Sequence, residues 1–185
     1  MAPKVSIHLC KNLRKSVGQP GDTWYLDEVF INIRGKQHYL WRAVDQEGDE
    51  LDMLVQRRRN KQAALRFFRK LFRKTEINPR KIVTDKLRSY RAALKQLLPA
   101  TPHVTDRYEN NRAAISHQPT RQRERKMRRF KSSRQAQRLL SFHGVVNNLF
   151  RLQRHLMSAK NYRAFRDRAL AIWQQDTCAC WPGLT

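Results

Sequence analysis

The spacing of apolar and polar positions changes several times along the chain, and each change marks an element. From Trp24 to Ile33 the run WYLDEVFINI is dense in β-branched and aromatic residues, and Arg34, Gly35 and Lys36 then read as a hairpin turn into HYLWRAVD. This predicts two antiparallel strands. A turn from Gln46 to Asp49 leads into LDMLVQ, a third strand, so the opening is an antiparallel meander. Asn60 to about Lys74 carries Ala64, Phe67, Phe68 and Leu71 at helical spacing with basic residues between them, which predicts an amphipathic helix with a basic outer face. Pro79 precedes KIVTD, a short strand of the buried type, and Leu87 to Leu98 returns to helical spacing through Tyr90, Leu94 and Leu97 until Pro99 stops it. From about Asn111 to Leu170 the pattern is helical, with interruptions expected at Pro119, at Ser132 and Ser133, and near Gly144. This order indicates an α/β fold: a mixed sheet, made of the meander plus parallel strands, flanked by helices.

A chain of 185 residues, 40% hydrophobic, suits one domain with a real core. The breaker cluster Gly18, Gln19, Pro20, Gly21 and Asp22 separates a basic leader, residues 1–22, from a domain expected over 23–170, with 171–185 as a tail. Charge narrows the function. Lys and Arg number 39 against 15 Asp and Glu, a formal net charge of +24, so the natural partner is a polyanion. A membrane-surface role would need an anchor. No apolar run approaches the ~18 residues that span a bilayer, and no lipidation motif or signal peptide is recognisable, so a cytoplasmic location is expected. Cys10, Cys178 and Cys180 are an odd set, read as reduced thiols, with no partner pair at zinc-finger spacing.

Two aspartates stand out. Asp27 lies inside a strand that is apolar on both faces, with Tyr25, Val29 and Ile31 on its own side and Leu26 and Phe30 opposite. Burying its charge costs several kcal/mol unless cations or donors compensate it, so it is either a bonded structural residue or a ligand. Asp85 ends the KIVTD strand, where open α/β sheets place their ligands and where an N-cap would also stand. Together, in a chain that must hold phosphodiesters, the pair suggests carboxylate ligands for Mg²⁺ or Mn²⁺ in two-ion phosphoryl transfer.

The segments TWYLDEVFINIRGKQHYLWRAVD, IVTDKLRSY and NNRAAISHQPTRQRER resemble, in order and spacing, the DDE transposases of the IS-six insertion-sequence family, over about Gly21 to Leu170. The resemblance implies a ribonuclease-H-like fold with Asp27 on the first strand, Asp85 after the fourth, and metal-dependent DNA cleavage and strand transfer at element ends. In the family the third motif supplies a Glu where this chain has Ala114, so one arm of the metal site is replaced by a side chain that cannot ligate. Glu109 and His117 are the neighbouring groups that could substitute. Glu109 precedes the helix and would need a register change, while imidazole is a poor Mg²⁺ ligand. Arg121 matches a basic residue that the family carries seven positions after its Glu, and it would contact DNA phosphate. Arg123, Arg125, Lys126, Arg128, Arg129, Lys131 and Arg134 follow it with Glu124 as the one acid among them, a run that favours DNA backbone contact over a merely solvated face. Met127, Phe130, Leu139, Leu140 and Phe142 are expected in the core. Family members carry a helix-turn-helix ahead of this domain, and the leader before Gly21 is expected to be too short for one. The expected reading is a transposase domain, impaired at position 114, acting on DNA at the nucleoid as a homodimer or with a full-length relative. The alternative is a non-catalytic nucleic-acid-binding remnant.

Overall fold

The computed structural model describes Leu13 and residues 19–105, 130–152 and 157–180. The expected alternation forms strands β1 (Thr23–Ile33), β2 (Lys36–Asp45) and β3 (Glu50–Gln56), followed by helix α1 (Lys61–Thr75), β4 (Lys81–Thr84) and α2 (Arg88–Leu97). A two-residue strand β5 (His103–Val104) follows, then helices α3 (Ser133–Phe150) and α4 (Ala159–Cys180). No described helix is long and apolar enough to cross a membrane. The chain forms two compact units, Pro20–Ser141 and Met1–Gln19 with Phe142–Thr185.

In the first unit the sheet order is β3-β2-β1-β4-β5. β1 is therefore central, as its two apolar faces require. It runs antiparallel to β2 and parallel to β4, and β5 adds in parallel to β4. The β1–β2 turn places both Arg34 and Gly35 at positive φ, 53° and 73°, the two-residue geometry whose twist matches a hairpin. At the next turn Asp45 accepts from the backbone amides of Glu47 and Asp49 with one oxygen and from Gly21 with the other. The outward edge of β3 is also closed. Lys74 donates to the Leu51 carbonyl, Lys70 and Gln137 donate to that of Met53, and the Val55 amide donates to Gln137. Such pairing removes the open edge that invites strand addition.

One sheet face, carrying Trp24, Leu26, Trp41, Ala43 and Ile82, is covered by Ala64, Phe67, Phe68 and Leu71 of α1 and by Tyr90, Ala93 and Leu94 of α2. Each fully buried aromatic there contributes about 1.5–3 kcal/mol. The other face, with Ile31, Ile33, Leu40 and Met53, packs against Ala136 and Leu140 of α3. Helices on both faces of a mixed sheet give the ribonuclease-H-like architecture expected above. Side-chain caps mark the starts of α1 and α3. Asn60 accepts from the Ala63 amide at α1, and Ser132 accepts from that of Gln135 at α3.

Three expectations need correction. The helical pattern is not interrupted near Gly144, because α3 runs through it to Phe150; Val145 and Leu149 bury their side chains with Leu13 and Ala169, which offsets the ~1 kcal/mol that glycine costs a helix. Leu139 is exposed, although Phe130, Leu140 and Phe142 do pack into the cores and Met127 lies outside the described residues. Phe30, on the face of β1 opposite Asp27, is 56% exposed. Helix α4 also crosses position 170, where a tail was expected to begin, and continues to Cys180.

Candidate active site

The parallel pairing of β1 with β4 runs from Thr23↔Lys81 to Leu26↔Thr84. Asp27 is the next residue on β1 and Asp85 the first after β4, so the two aspartates stand at the same level of strands roughly 4.8 Å apart. Thr84 fixes where the strand ends. Its hydroxyl donates to the Asp85 carbonyl, so His103 Nε2, at 2.8 Å, is the donor to Thr84 Oγ1. Burial, then the charge of Arg91, holds His103 below the ordinary imidazole range, which suits this neutral role.

The surroundings of the two acids differ. Asp27 is 18% exposed and faces Arg42, its register partner on β2, whose Nε is 3.8 Å from Asp27 Oδ1. Arg42 is 1% exposed and also lies 3.7 Å from Glu50, so a buried cation sits between two acids. Asp85 is 40% exposed. Its Oδ1 accepts from the Leu87 amide at 3.0 Å, but Leu87 is itself the N-cap of α2 and no side chain caps that helix, so Asp85 does not take the capping role; Arg59 lies 3.9 Å from its other oxygen.

Glu28 and Arg59 were not singled out from the sequence. Arg59 pairs with Glu28 as well as Asp85, and its guanidinium lies 5.8 Å over the Phe30 ring. Glu28 alternates onto the face of Trp24 and Leu26 and is nearly fully buried. Burial pushes its carboxyl up to about 7, helped by the charge of Asp85 and opposed by Arg59. Tyr90, fully buried, has its phenol pushed well above the usual range by burial and then by the charges of Glu28, Asp27 and Asp85. A charged residue at a core position one step from Asp27 was the available signal. The partner that makes sense of it lies in a loop 31 positions away.

Lys131 and Arg134 are exposed at the start of α3, where the Lys131 amide donates to Gln135. Glu109, Ala114, His117, Arg121, Arg123, Arg125, Lys126, Arg128 and Arg129 lie outside the described residues. Among the described residues, no group of three or more His, Cys, Asp or Glu side chains is placed to hold a metal ion.

A family profile described as a DDE domain matches residues 21–153. The transposase for insertion sequence-like element IS431mec of Staphylococcus aureus is 34% identical over 93 residues, covering 48% of this chain and 41% of that protein. An uncharacterised Yersinia pseudotuberculosis protein, pYV0051, is 36% identical over 78 residues, covering 41% of this chain and 73% of that protein. The chain thus spans about two fifths of the length of the transposases it matches. Among solved structures, the HTLV-2 integrase catalytic core domain in complex with magnesium, trimeric form, superposes with a TM-score of 0.48 at 12% identity, covering 77% of this chain and 92% of that one.

Proposed function

Because the chain belongs to the DDE domain family of insertion-sequence transposases, we propose that it is the part of such an enzyme that holds DNA and cuts and joins it by phosphoryl transfer. The observation that supports this most is the register of β1 and β4, which sets Asp27 and Asp85 side by side at the centre of the sheet. In a hydrolytic nick a water oxygen bonds to phosphorus, the phosphorus–oxygen bond to one deoxyribose breaks, and that oxygen leaves as a hydroxyl. The chain's own residues position the acids for such a step. Arg42 offsets the cost of burying Asp27, and the Leu87 amide holds Asp85 at the strand end.

Carboxylate oxygens are the right donors in kind for Mg²⁺ or Mn²⁺, and Asp27 and Asp85 are the residues that would hold them. When bound, such ions supply Lewis-acid stabilisation of charge at the phosphoryl oxygens. The donors fall short in number. Ala114 offers no oxygen where the family places its Glu, so this copy cuts slowly, and its cation affinity is low. Arg59 competes for Asp85 with any entering cation. The basic residues from Arg121 to Arg134 hold the DNA backbone, and the protein works at the nucleoid in the cytoplasm, as a homodimer or with a full-length relative. Nicking of supercoiled DNA in Mg²⁺ or Mn²⁺, together with calorimetric Mn²⁺ binding, tests the reading. Residual nicking and Mn²⁺ binding should both fall with Asp27→Asn and Asp85→Asn. Nicking or Mn²⁺ binding indifferent to both substitutions would reduce the protein to a nucleic-acid-binding module.

A further inference from the structure

Beyond the carboxylates, the end of β3 and the first turns of α1 enclose a basic groove of about 740 Å³. Gln56, Arg57, Arg58, Asn60, Gln62 and Arg66 line it, no acidic side chain among the described residues does, and Gln56 ties its two walls by donating to the Ala63 carbonyl at 2.8 Å. We propose that this groove holds the phosphate backbone of duplex DNA beside the phosphodiester that reacts at Asp27 and Asp85. This deepens the functional reading above and rests on it.

Arg42, Arg59 and Arg80 all pair with acids, whereas Arg57, Arg58 and Arg66 have no ion pair among the described residues. Lys70 borders the groove, but its charge is taken by Asp52 at 2.7 Å. Three guanidiniums gathered with no counter-charge among the described residues repel one another, and an anion relieves that repulsion. The start of α1 adds its own partial positive charge. Guanidinium forks match phosphate oxygens in shape as well as sign. An extended peptide added to the β3 edge is disfavoured, because Gln137 and Lys70 already take the outward Met53 and Val55 groups. Continuity with the carboxylates selects the DNA that is being cut. Arg58 is followed directly by Arg59, which reaches Asp85, so one short loop has the groove on one side and the site on the other. Backbone contacts of this kind carry no sequence preference.

The test compares two double charge reversals in the full chain: Arg57→Glu with Arg58→Glu in the loop before α1, and, on α1 itself, the exposed Arg69→Glu with Arg73→Glu. Both change net charge equally. Affinity for a short fluorescent duplex of arbitrary sequence is measured by anisotropy from about 50 to 200 mM salt, where each phosphate contact contributes roughly 0.9 to the logarithmic slope. The groove variant should flatten the slope by about two and weaken binding at least tenfold at low salt, with the control changing the slope by less than half as much. Arg57→Gln with Arg58→Gln, gentler on folding, should move the slope in the same direction, and melting curves verify that each variant folds. Equal effects from groove and control, an unchanged slope in the groove variants, or tighter groove-dependent binding of duplex RNA or an acidic peptide would overturn the assignment. Failure of the functional reading would read differently, as nicking or Mn²⁺ binding indifferent to Asp27→Asn and Asp85→Asn with the groove's contribution to the slope intact.

Discussion

Asp52 on β3 and Asp85 beyond β4 are both aspartates beside basic side chains, yet they are held in opposite ways. Asp52 is 2% exposed and is gripped by Lys70 and Lys74 at 2.7 and 2.8 Å. Asp85 is 40% exposed, with Arg59 no nearer than 3.9 Å. The first pair bolts an edge strand to the helix above it. The second leaves a carboxylate at the end of a strand, accessible to a ligand. A nearby cation therefore does not by itself separate structural acids from candidate ligands; the tightness of the contact and the exposure of the acid do. Asp27 stands between the two in exposure, at 18%, with the buried Arg42 at 3.8 Å.

The sharpest way to break this ordering is at Arg42. Arg42→Met leaves Asp27 and Glu50 without their buried counter-charge, and should lower unfolding free energy by about 3–5 kcal/mol in urea titrations. A loss below ~1 kcal/mol would mean that solvent already screens the pair.

Asp52 gives the next effect and a pH signature. Burial alone would raise its carboxyl, but Lys74 and Lys70 outweigh that and hold it below its ordinary 3.8. A carboxyl depressed by folding adds stability that is present above the unfolded value and is lost as pH falls through the lower folded value. Asp52→Asn should therefore cost about 2 kcal/mol at neutral pH, and the gap from wild type should close as pH drops below about 4. A gap that persists in strong acid would assign the loss to packing. The smallest effect is expected at Asp85. Asp85→Asn keeps an oxygen for the Leu87 amide, so its stability should stay within roughly 0.5 kcal/mol of wild type while Mn²⁺ binding falls.

The alternating run of β1 and β2 and the helical spacing of α1 made the sheet and its first covering layer legible in the sequence, since burial on known faces is what those periods encode. Asp27 and Asp85 were legible because one interrupts an apolar strand and the other ends one. Arg59 was not, because nothing local says that a loop residue folds back onto Glu28, 31 positions earlier. Strand β5 is two residues long, too short to show a period. Gly144 misled because glycine weakens a helix locally, whereas the burial of Val145 and Leu149 that overrides it is a tertiary fact.

The central claim is that two carboxylates stand ready for a cation while the third place, at Ala114, is empty of oxygen. The direct measurement is Mn²⁺ affinity and end-nicking for wild type, Ala114→Glu and Ala114→Glu with Ile115→Asn, each fused to a helix-turn-helix from a close relative. The account predicts at least tenfold tighter Mn²⁺ binding on repair, and cleavage faster by about a thousandfold if the missing ligand is worth ~4 kcal/mol in the transition state. Wild type that binds Mn²⁺ and cuts as well as the repaired proteins would contradict it, and would mean that Glu109, His117 or another group already serves as the third ligand.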